Sequence, residues 1–207
     1  PMREAIKTKS INPFNELGIP NDLPLIYVTG GSSGAERINN LILRCLDKLL
    51  PNYRIFHQTG SAHQDELLLT AQALIQDPVL KSRYYIKGQI PPEVVNALLG
   101  AASLVITRAG STTLFEIAFH GKPSIVIPIP EDISRDQLSN AYAYARSGAA
   151  TVMEEHNLTE TLLTTEINSI ISDSAKWQKM SSAASSLAIA DAADKIAAIL
   201  IQIGVEH

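Results

Sequence analysis

Six short apolar runs alternate along this chain with stretches of helical periodicity, and that alternation constrains the fold more than any other feature. Leu25-Ile26-Tyr27-Val28, Arg54-Ile55-Phe56-His57, Tyr84-Tyr85-Ile86, Leu104-Val105-Ile106, Ser124-Ile125-Val126-Ile127 and Ala150-Thr151-Val152-Met153 read as strands. Residues 35–49, 65–76, 93–99, 111–119 and 137–146 between them read as helices, and the remainder beyond 153 is helical too. Strands alternating with helices imply a parallel sheet covered on both faces. The expected fold class is therefore α/β, a doubly wound, Rossmann-like parallel sheet of about six strands.

No linker rich in Gly, Ser or Pro divides the chain, so residues 1–207 read as a single domain with a helical tail from about 174. The alanine-rich part from Ser181 onwards reads as one or two helices at the domain edge, or as a surface for a neighbouring domain. Residues 7–22 are polar and turn-rich and read as irregular. The opening Pro1-Met2 suggests a fragment or a processed chain, although trimming would look the same. A hydrophobic content of 45% against 18% charged residues supports a sizeable core and excludes global disorder. The net charge of −4, with no Lys/Arg cluster, argues against nucleic acid as a partner. Cys45 sits in an apolar helical pattern and reads as buried and inert. A single cysteine fits a reducing, cytoplasmic compartment. The five histidines show no ligand spacing, so no metal is expected. No run of about 18 apolar residues is present, so no transmembrane helix is expected, and no signal peptide is expected either.

The segment Thr107-Arg108-Ala109-Gly110-Ser111-Thr112-Thr113-Leu114-Phe115-Glu116 carries the chemistry. A glycine and three hydroxyl residues stand where a strand hands over to a helix. Free backbone N–H groups and the positive end of the helix dipole make such a junction an anion site. Glu116 falls one turn beyond Thr112 on the same face. It can accept hydrogen bonds from a sugar diol beside a bound phosphate. Phosphate donors plus one diol acceptor suggest a nucleotide or a nucleotide-sugar. The same composition also describes an ordinary helix start, since Ser and Thr are common N-caps and the dipole favours an early acid.

Gly30-Gly31-Ser32-Ser33-Gly34 opens the first helix and permits close approach of a ligand, or is simply a tight turn. It is neither a Walker A loop nor the GxGxxG fingerprint. Gln58-Thr59-Gly60 stands where an adenosine-binding acid would end strand two, which disfavours a dinucleotide. Gly121-Lys122-Pro123 reads as a structural stop before strand five. Gln137 and Asn140 follow at the carboxyl edge of the sheet. They read as partners for sugar hydroxyls or as solvated helix residues.

Together these motifs resemble the C-terminal, donor-binding half of the MurG family within glycosyltransferase family 28. Those enzymes are UDP-N-acetylglucosamine transferases that complete the lipid-linked peptidoglycan precursor. The resemblance rests on Pro1-Met2-Arg3, Gly30 through Ala35 with Ile38-Asn39, His57-Gln58-Thr59-Gly60, and Arg108 through Glu116 with Gly121-Lys122-Pro123. The stretch from Pro128-Ile129-Pro130 to Gln137 and Asn140-Ala141 completes it, so nearly the whole chain is covered.

The resemblance implies one half of a GT-B enzyme. Arg3 and Ser32 would meet the diphosphate–nucleoside part, and Ser111, Thr112 and Thr113 would cradle phosphate and sugar. Glu116 would bind the ribose hydroxyls, Gln137 the N-acetylglucosamine hydroxyls, and the backbone near Ile90 the uracil. No cofactor is implied beyond UDP-GlcNAc as substrate. Two departures stand out: Ile90-Pro91-Pro92-Glu93 replaces the family's aromatic/Ile-Asp-Asp-Met turn, and Asp136 replaces a basic, aromatic or amide residue. The family's N-terminal domain brings the candidate base, the lipid-linked acceptor site and the surface that meets the inner face of the plasma membrane. This chain would bind donor and stabilise departing UDP without completing transfer, with no catalytic residue of its own. A stand-alone subunit needing a membrane partner and a non-catalytic nucleotide-sugar-binding module are the alternatives.

Overall fold

The computed structural model describes residues 3–6, 12–30, 35–189 and 192–205. Six strands, β1 (Leu25–Thr29), β2 (Arg54–Gln58), β3 (Tyr84–Lys87), β4 (Leu104–Thr107), β5 (Ser124–Val126) and β6 (Ala150–Val152), form one sheet in the order β3-β2-β1-β4-β5-β6. Every neighbouring pair is parallel. The helices are α1 (Pro13–Leu17), α2 (Glu36–Leu49), α3 (Gln64–Leu74), α4 (Pro78–Lys81), α5 (Pro92–Ala101), α6 (Ser111–His120), α7 (Arg135–Ala145), α8 (Glu160–Ser172), α9 (Ser174–Ser186) and α10 (Ala192–Val205). This is the doubly wound α/β fold that the alternation predicts.

Side-chain alternation sorts the core into two layers. Ile26, Val28, Ile55, Leu104 and Ile106 face α2 and α8. Leu25, Tyr27, Phe56 and Val105 face α5 and the turn carrying Ile6. On α2 the buried residues Ile38, Leu41, Ile42, Cys45, Leu46 and Leu49 recur at helical spacing, which pins that helix to the sheet. Burial of each large one is worth roughly 1.5–3 kcal/mol. The Cys45 thiol is buried there, and desolvation pushes it up to about 11, so it stays protonated and unreactive. β1 and β4 are buried throughout, while the edge strands β3 and β6 are half-buried.

Order reverses between β1 and β4, so the chains leaving their carboxyl ends diverge and leave a crevice. Gly121 ends α6 in the left-handed region at φ 62°, as Gly-Lys-Pro signals. A Cβ there would also run into Ser185 Oγ on α9.

Some local expectations change. Residues 12–18 are not irregular, because Pro13 starts α1 and Gly18 at φ 63° ends it. Residues 7–11 lie outside the described part. The short α4 begins at Pro78 with Asp77 accepting from Val79 N–H. In the tail, α9 packs on the domain: Met180 and Ala184 are buried, and the Trp177 indole N–H donates to Ser103 O at 2.7 Å. By contrast α10 leaves Ile196, Ile199, Leu200, Ile201 and Ile203 exposed. Of these, Ile196, Ile199, Leu200 and Ile203 recur at helical spacing along one face. No described helix is long and apolar enough to cross a membrane.

Candidate functional site

The junction after β4 is built as an open helix start. Gly110 is the N-cap of α6 and no side chain caps the first turn. Ser111 is thus the first helical residue and not the cap. Its exposed hydroxyl and that of Thr112 flank backbone N–H groups that have no intrahelical partner. This favours the anion-site reading over that of an ordinary capped helix.

Beside this helix start, at the carboxyl ends of β1, β2 and β4, lies a cavity of about 350 Å³. Arg3, Ile90, Thr112, Thr113 and Glu116 line it, so five of the eight sequence-expected residues come together. Glu116 is 1% exposed and sits in the second turn of α6, beyond the first turn where the dipole favours an acid. Arg3 reaches it as a two-point ion pair, Nε to Oε1 at 2.7 Å and Nη2 to Oε2 at 2.6 Å. The hydrogen bonds to Glu116 hold the guanidinium firmly in its charged form. Ile6, fully buried, anchors the turn that presents Arg3.

The floor of the cavity comes from residues to which the sequence reading gave no role: Tyr27, Thr29, Gln58, Gln89, Val95 and Leu99. Thr29 and Gln58 are register partners in adjacent strands. The Tyr27 hydroxyl and Thr29 Oγ1 both donate to Gln58 Oε1, at 2.6 and 3.2 Å. Burial holds the Tyr27 phenol well above its ordinary range, so it remains a donor. The one signal available in sequence was position: these residues end β1 and β2 beside the switch point.

Two further networks fix the walls. Thr59 N–H donates to Lys87 O and Gly60 N–H to Gly88 O, so the loops after β2 and β3 run zipped together. Gly88 N–H in turn donates to Gln64 Oε1 at 2.5 Å, which sets the course of Gln89-Ile90. His57, fully buried, bridges Asn39 Oδ1 at 2.9 Å and the Tyr84 hydroxyl at 2.8 Å. An amide oxygen only accepts, so Nε2 carries the proton and Nδ1 accepts from Tyr84. Desolvation pushes His57 down to about 3. Asn39 also donates to Thr59 O, tying α2 to the loop after β2.

Gln137 and Asn140 grip backbone, and neither is merely a solvated helix residue. Ala109 N–H donates to Gln137 Oε1 at 3.2 Å, and Asn140 Nδ2 donates to Ala109 O at 3.3 Å. Ile129 N–H also points at Gln137 Oε1, at 3.4 Å. α7 starts at Arg135, two residues earlier than the sequence reading, which places Gln137 inside the first turn. Arg108 completes the brace. Its Nη1 donates to Ile127 O and Pro128 O, and its Nη2 pairs with Glu155. Gln137 and Ser111 do not line the cavity that holds Glu116. Ser111 borders a smaller apolar hollow with Phe115 and Tyr144, and Ser32 lies outside the described residues. Among the described residues no cluster of three His, Cys, Asp or Glu side chains suits a metal ion.

A family model described as glycosyltransferase family 28 C-terminal domain matches residues 25–196. The UDP-N-acetylglucosamine--N-acetylmuramyl-(pentapeptide) pyrophosphoryl-undecaprenol N-acetylglucosamine transferase of Acetivibrio thermocellus is 34% identical over 199 residues, covering 95% of this chain and 52% of that protein. The protein of the same name from Syntrophotalea carbinolica is 36% identical over 179 residues, covering 84% and 48%. Among solved structures, Acinetobacter baumannii MurG superposes with a TM-score of 0.75 at 24% identity, covering 95% of this chain and 55% of that one. UDP-GlcNAc 2-epimerase from Neisseria meningitidis, solved bound to UDP-GlcNAc, gives 0.63 at 14%, covering 92% and 47%. At these identities the structural likeness speaks for the fold alone. The chain spans about half the length of the curated relatives it matches.

Proposed function

The chain belongs to the glycosyltransferase family 28 C-terminal domains, and on that premise we propose that it binds UDP-N-acetylglucosamine as the donor half of an inverting GlcNAc transferase. The acceptor is a lipid-linked muramoyl-peptide of peptidoglycan synthesis, brought by an N-terminal domain. The whole enzyme works at the inner face of the plasma membrane. The names of the relatives support the donor and the acceptor class.

One observation carries the reading: a buried carboxylate, Glu116, shares a cavity with the uncapped start of α6. Ribose hydroxyls meet the carboxylate. The diphosphate meets the N–H groups of α6 and the Arg3 guanidinium. Leaving-group charge that grows on the β-phosphate as the glycosidic bond breaks is stabilised by those same donors, already in place before reaction. Gln137 meets the sugar through its amide nitrogen, since its oxygen is held by Ala109 and Ile129. Ser32 and Ser111 join the phosphate shell, and the backbone at Ile90 meets the uracil.

Calorimetric titration with UDP-GlcNAc, UDP and NAD tests this. The two uridine nucleotides are expected to bind and NAD to fail, because no acid ends β2 to hold an adenosine ribose. NAD binding tighter than UDP would overturn the assignment.

A further inference from the structure

We infer that Gln58 reads the nucleobase, donating a hydrogen bond from its amide nitrogen to a ring carbonyl of a pyrimidine. The inference rests on the UDP reading above and deepens it to a specificity-determining side chain.

Three observations lead there. First, the structure turns the oxygen of the Gln58 amide toward two neighbouring hydroxyls and its nitrogen away from them. Tyr27 and Thr29 both direct hydroxyl protons at Oε1. Second, Nε2 has no hydrogen-bond partner among the described residues, yet it is not among the buried unpaired polar atoms. Two N–H donors therefore face the cavity that Gln58 lines. Third, the cavity is divided by chemistry. Arg3, Thr112, Thr113 and Glu116 form a charged and hydroxyl-rich end beside α6. Ile90, Val95 and Leu99 form an apolar wall. A nucleoside placed with its ribose on Glu116 puts its diphosphate toward the start of α6 and its base on the apolar wall.

There the polar edge of the base must find partners, because an amide or carbonyl buried without them is costly. A uracil edge carries two carbonyl acceptors flanking one N–H. The main-chain N–H and C=O of a single extended residue, such as Ile90, satisfy one carbonyl and the N–H of the base. The second carbonyl is left for a donor, and Gln58 Nε2 is a donor with no competing partner among the described residues. A purine edge is larger and presents no such pair of flanking carbonyls in adenine. Gln58 thus contributes to pyrimidine choice in addition to serving as a prop beneath Tyr27 and Thr29.

The test pairs a side-chain change with single-atom changes in the ligand. Gln58→Glu keeps both acceptor sites for Tyr27 and Thr29 while removing the donors, so the pocket retains its shape. UDP, 2-thio-UDP and 4-thio-UDP are titrated against the wild-type chain and the variant. Sulfur is the poorer acceptor, so both thio-nucleotides are expected to bind wild type more weakly than UDP, the one whose sulfur faces Gln58 by about 5- to 10-fold. In Gln58→Glu, UDP itself weakens at least 10-fold and that thio penalty disappears. If wild type binds UDP and both thio ratios are the same in wild type and variant, Gln58 is only a prop and the inference fails while the UDP reading stands. If wild type does not bind UDP, the UDP reading fails and this inference with it. Circular dichroism and a thermal melt on Gln58→Glu establish that it is folded. Should it not fold, Gln58→Met is titrated against the same three ligands under the same criteria.

Discussion

The Arg3 guanidinium covers both carboxylate oxygens of Glu116, across 113 residues of sequence. A ribose diol needs those same oxygens. Each oxygen retains a second lone-pair site, so the diol either shares the carboxylate with Arg3 or displaces it toward the diphosphate. In both cases Glu116 carries the nucleoside half of the site. Glu116→Gln removes the charge but keeps the volume. UDP binding is expected to weaken by about 1.5–3 kcal/mol, the usual worth of hydrogen bonds to a charged group. Since Arg3 is 42% exposed and can be solvated instead, the loss of fold stability is held to about 1 kcal/mol. Calorimetry and thermal melting read the two quantities separately. Unchanged affinity would make Glu116 a partner for Arg3 and nothing more.

Gln137 sits at a different kind of position. Its oxygen holds the junction before α6 to the segment after β5, so removal leaves Ala109 N–H and Ile129 N–H without that partner. Gln137→Ala is expected to weaken UDP and UDP-GlcNAc together by about 1–3 kcal/mol, because the phosphate cradle itself loosens. Gln137→Glu keeps the acceptor and removes the amide donors. It is expected to weaken UDP-GlcNAc more than UDP by about 0.5–1.5 kcal/mol, the net worth of one neutral hydrogen bond. Equal losses for both ligands in Gln137→Glu would exclude a sugar contact for this side chain.

These two residues show what the sequence could and could not reveal. Short apolar runs and period-3.6 patterns are local features of a chain, so six strands and the helices between them were legible, with ends displaced by one or two residues. The junction before α6 was legible because helix-start chemistry is local. That Gln137 and Asn140 would grip Ala109 was not, because the partner is a backbone group about 30 residues away with no signature of its own. Nor was the role of Arg108, which looked like part of the anion motif and instead bonds Ile127 O, Pro128 O and Glu155. Tyr27 was read only as part of a strand, Gln58 only as a residue standing where an adenosine-binding acid would be and as part of the family motif, and Thr29 had no site role, since their meeting depends on which strands become neighbours.

Gly88 tests the zipped loops. A Cβ at this position would lie 2.6 Å from Gln64 Oε1 and 2.9 Å from Ser61 Cα. The glutamine can swing away, but the backbone at Ser61 cannot without moving the loop after β2. Gly88→Ala is therefore expected to shift Gln89-Ile90 and weaken UDP binding at least about 5-fold, or roughly 1 kcal/mol, while UDP-GlcNAc and UDP lose equally. Unaltered binding by calorimetry would place the base away from this loop.

His57 makes stability pH-dependent. Its folded-state value of about 3 lies below the ordinary 6.5 because burial disfavours the cation. Between those values the unfolded chain takes up a proton that the native chain does not. The stabilisation is complete above pH 6.5 and is lost as pH falls toward 3. The slope approaches about 1.4 kcal/mol per pH unit. Asp22, lowered by its hydrogen bond to Arg54, acts only near and below its ordinary 3.8, leaving pH 6.5 to 5 as the window for His57. Urea denaturation across that window should show a falling midpoint for wild type and a flatter one for His57→Gln, whatever the variant's absolute stability. Parallel curves would mean that His57 titrates normally in the native state.

The last expectation concerns turnover. A transferase needs a group that accepts the proton of the acceptor hydroxyl, with a pKa near the working pH and within reach of the sugar. Among the described residues lining the cavity, only Arg3 and Glu116 carry charge at neutral pH, and they are bonded to each other. Tyr27 is held protonated, and His57 is sealed in the core at a value of about 3. The purified chain is therefore expected to bind UDP-GlcNAc yet transfer no labelled GlcNAc to a lipid-linked muramoyl-pentapeptide. Slow release of free GlcNAc by water would still be compatible, because the donors that stabilise departing UDP are present without the acceptor. Lipid-linked product formed by this chain alone, at a rate proportional to its concentration, would place the base within these residues and overturn the division into donor and acceptor halves.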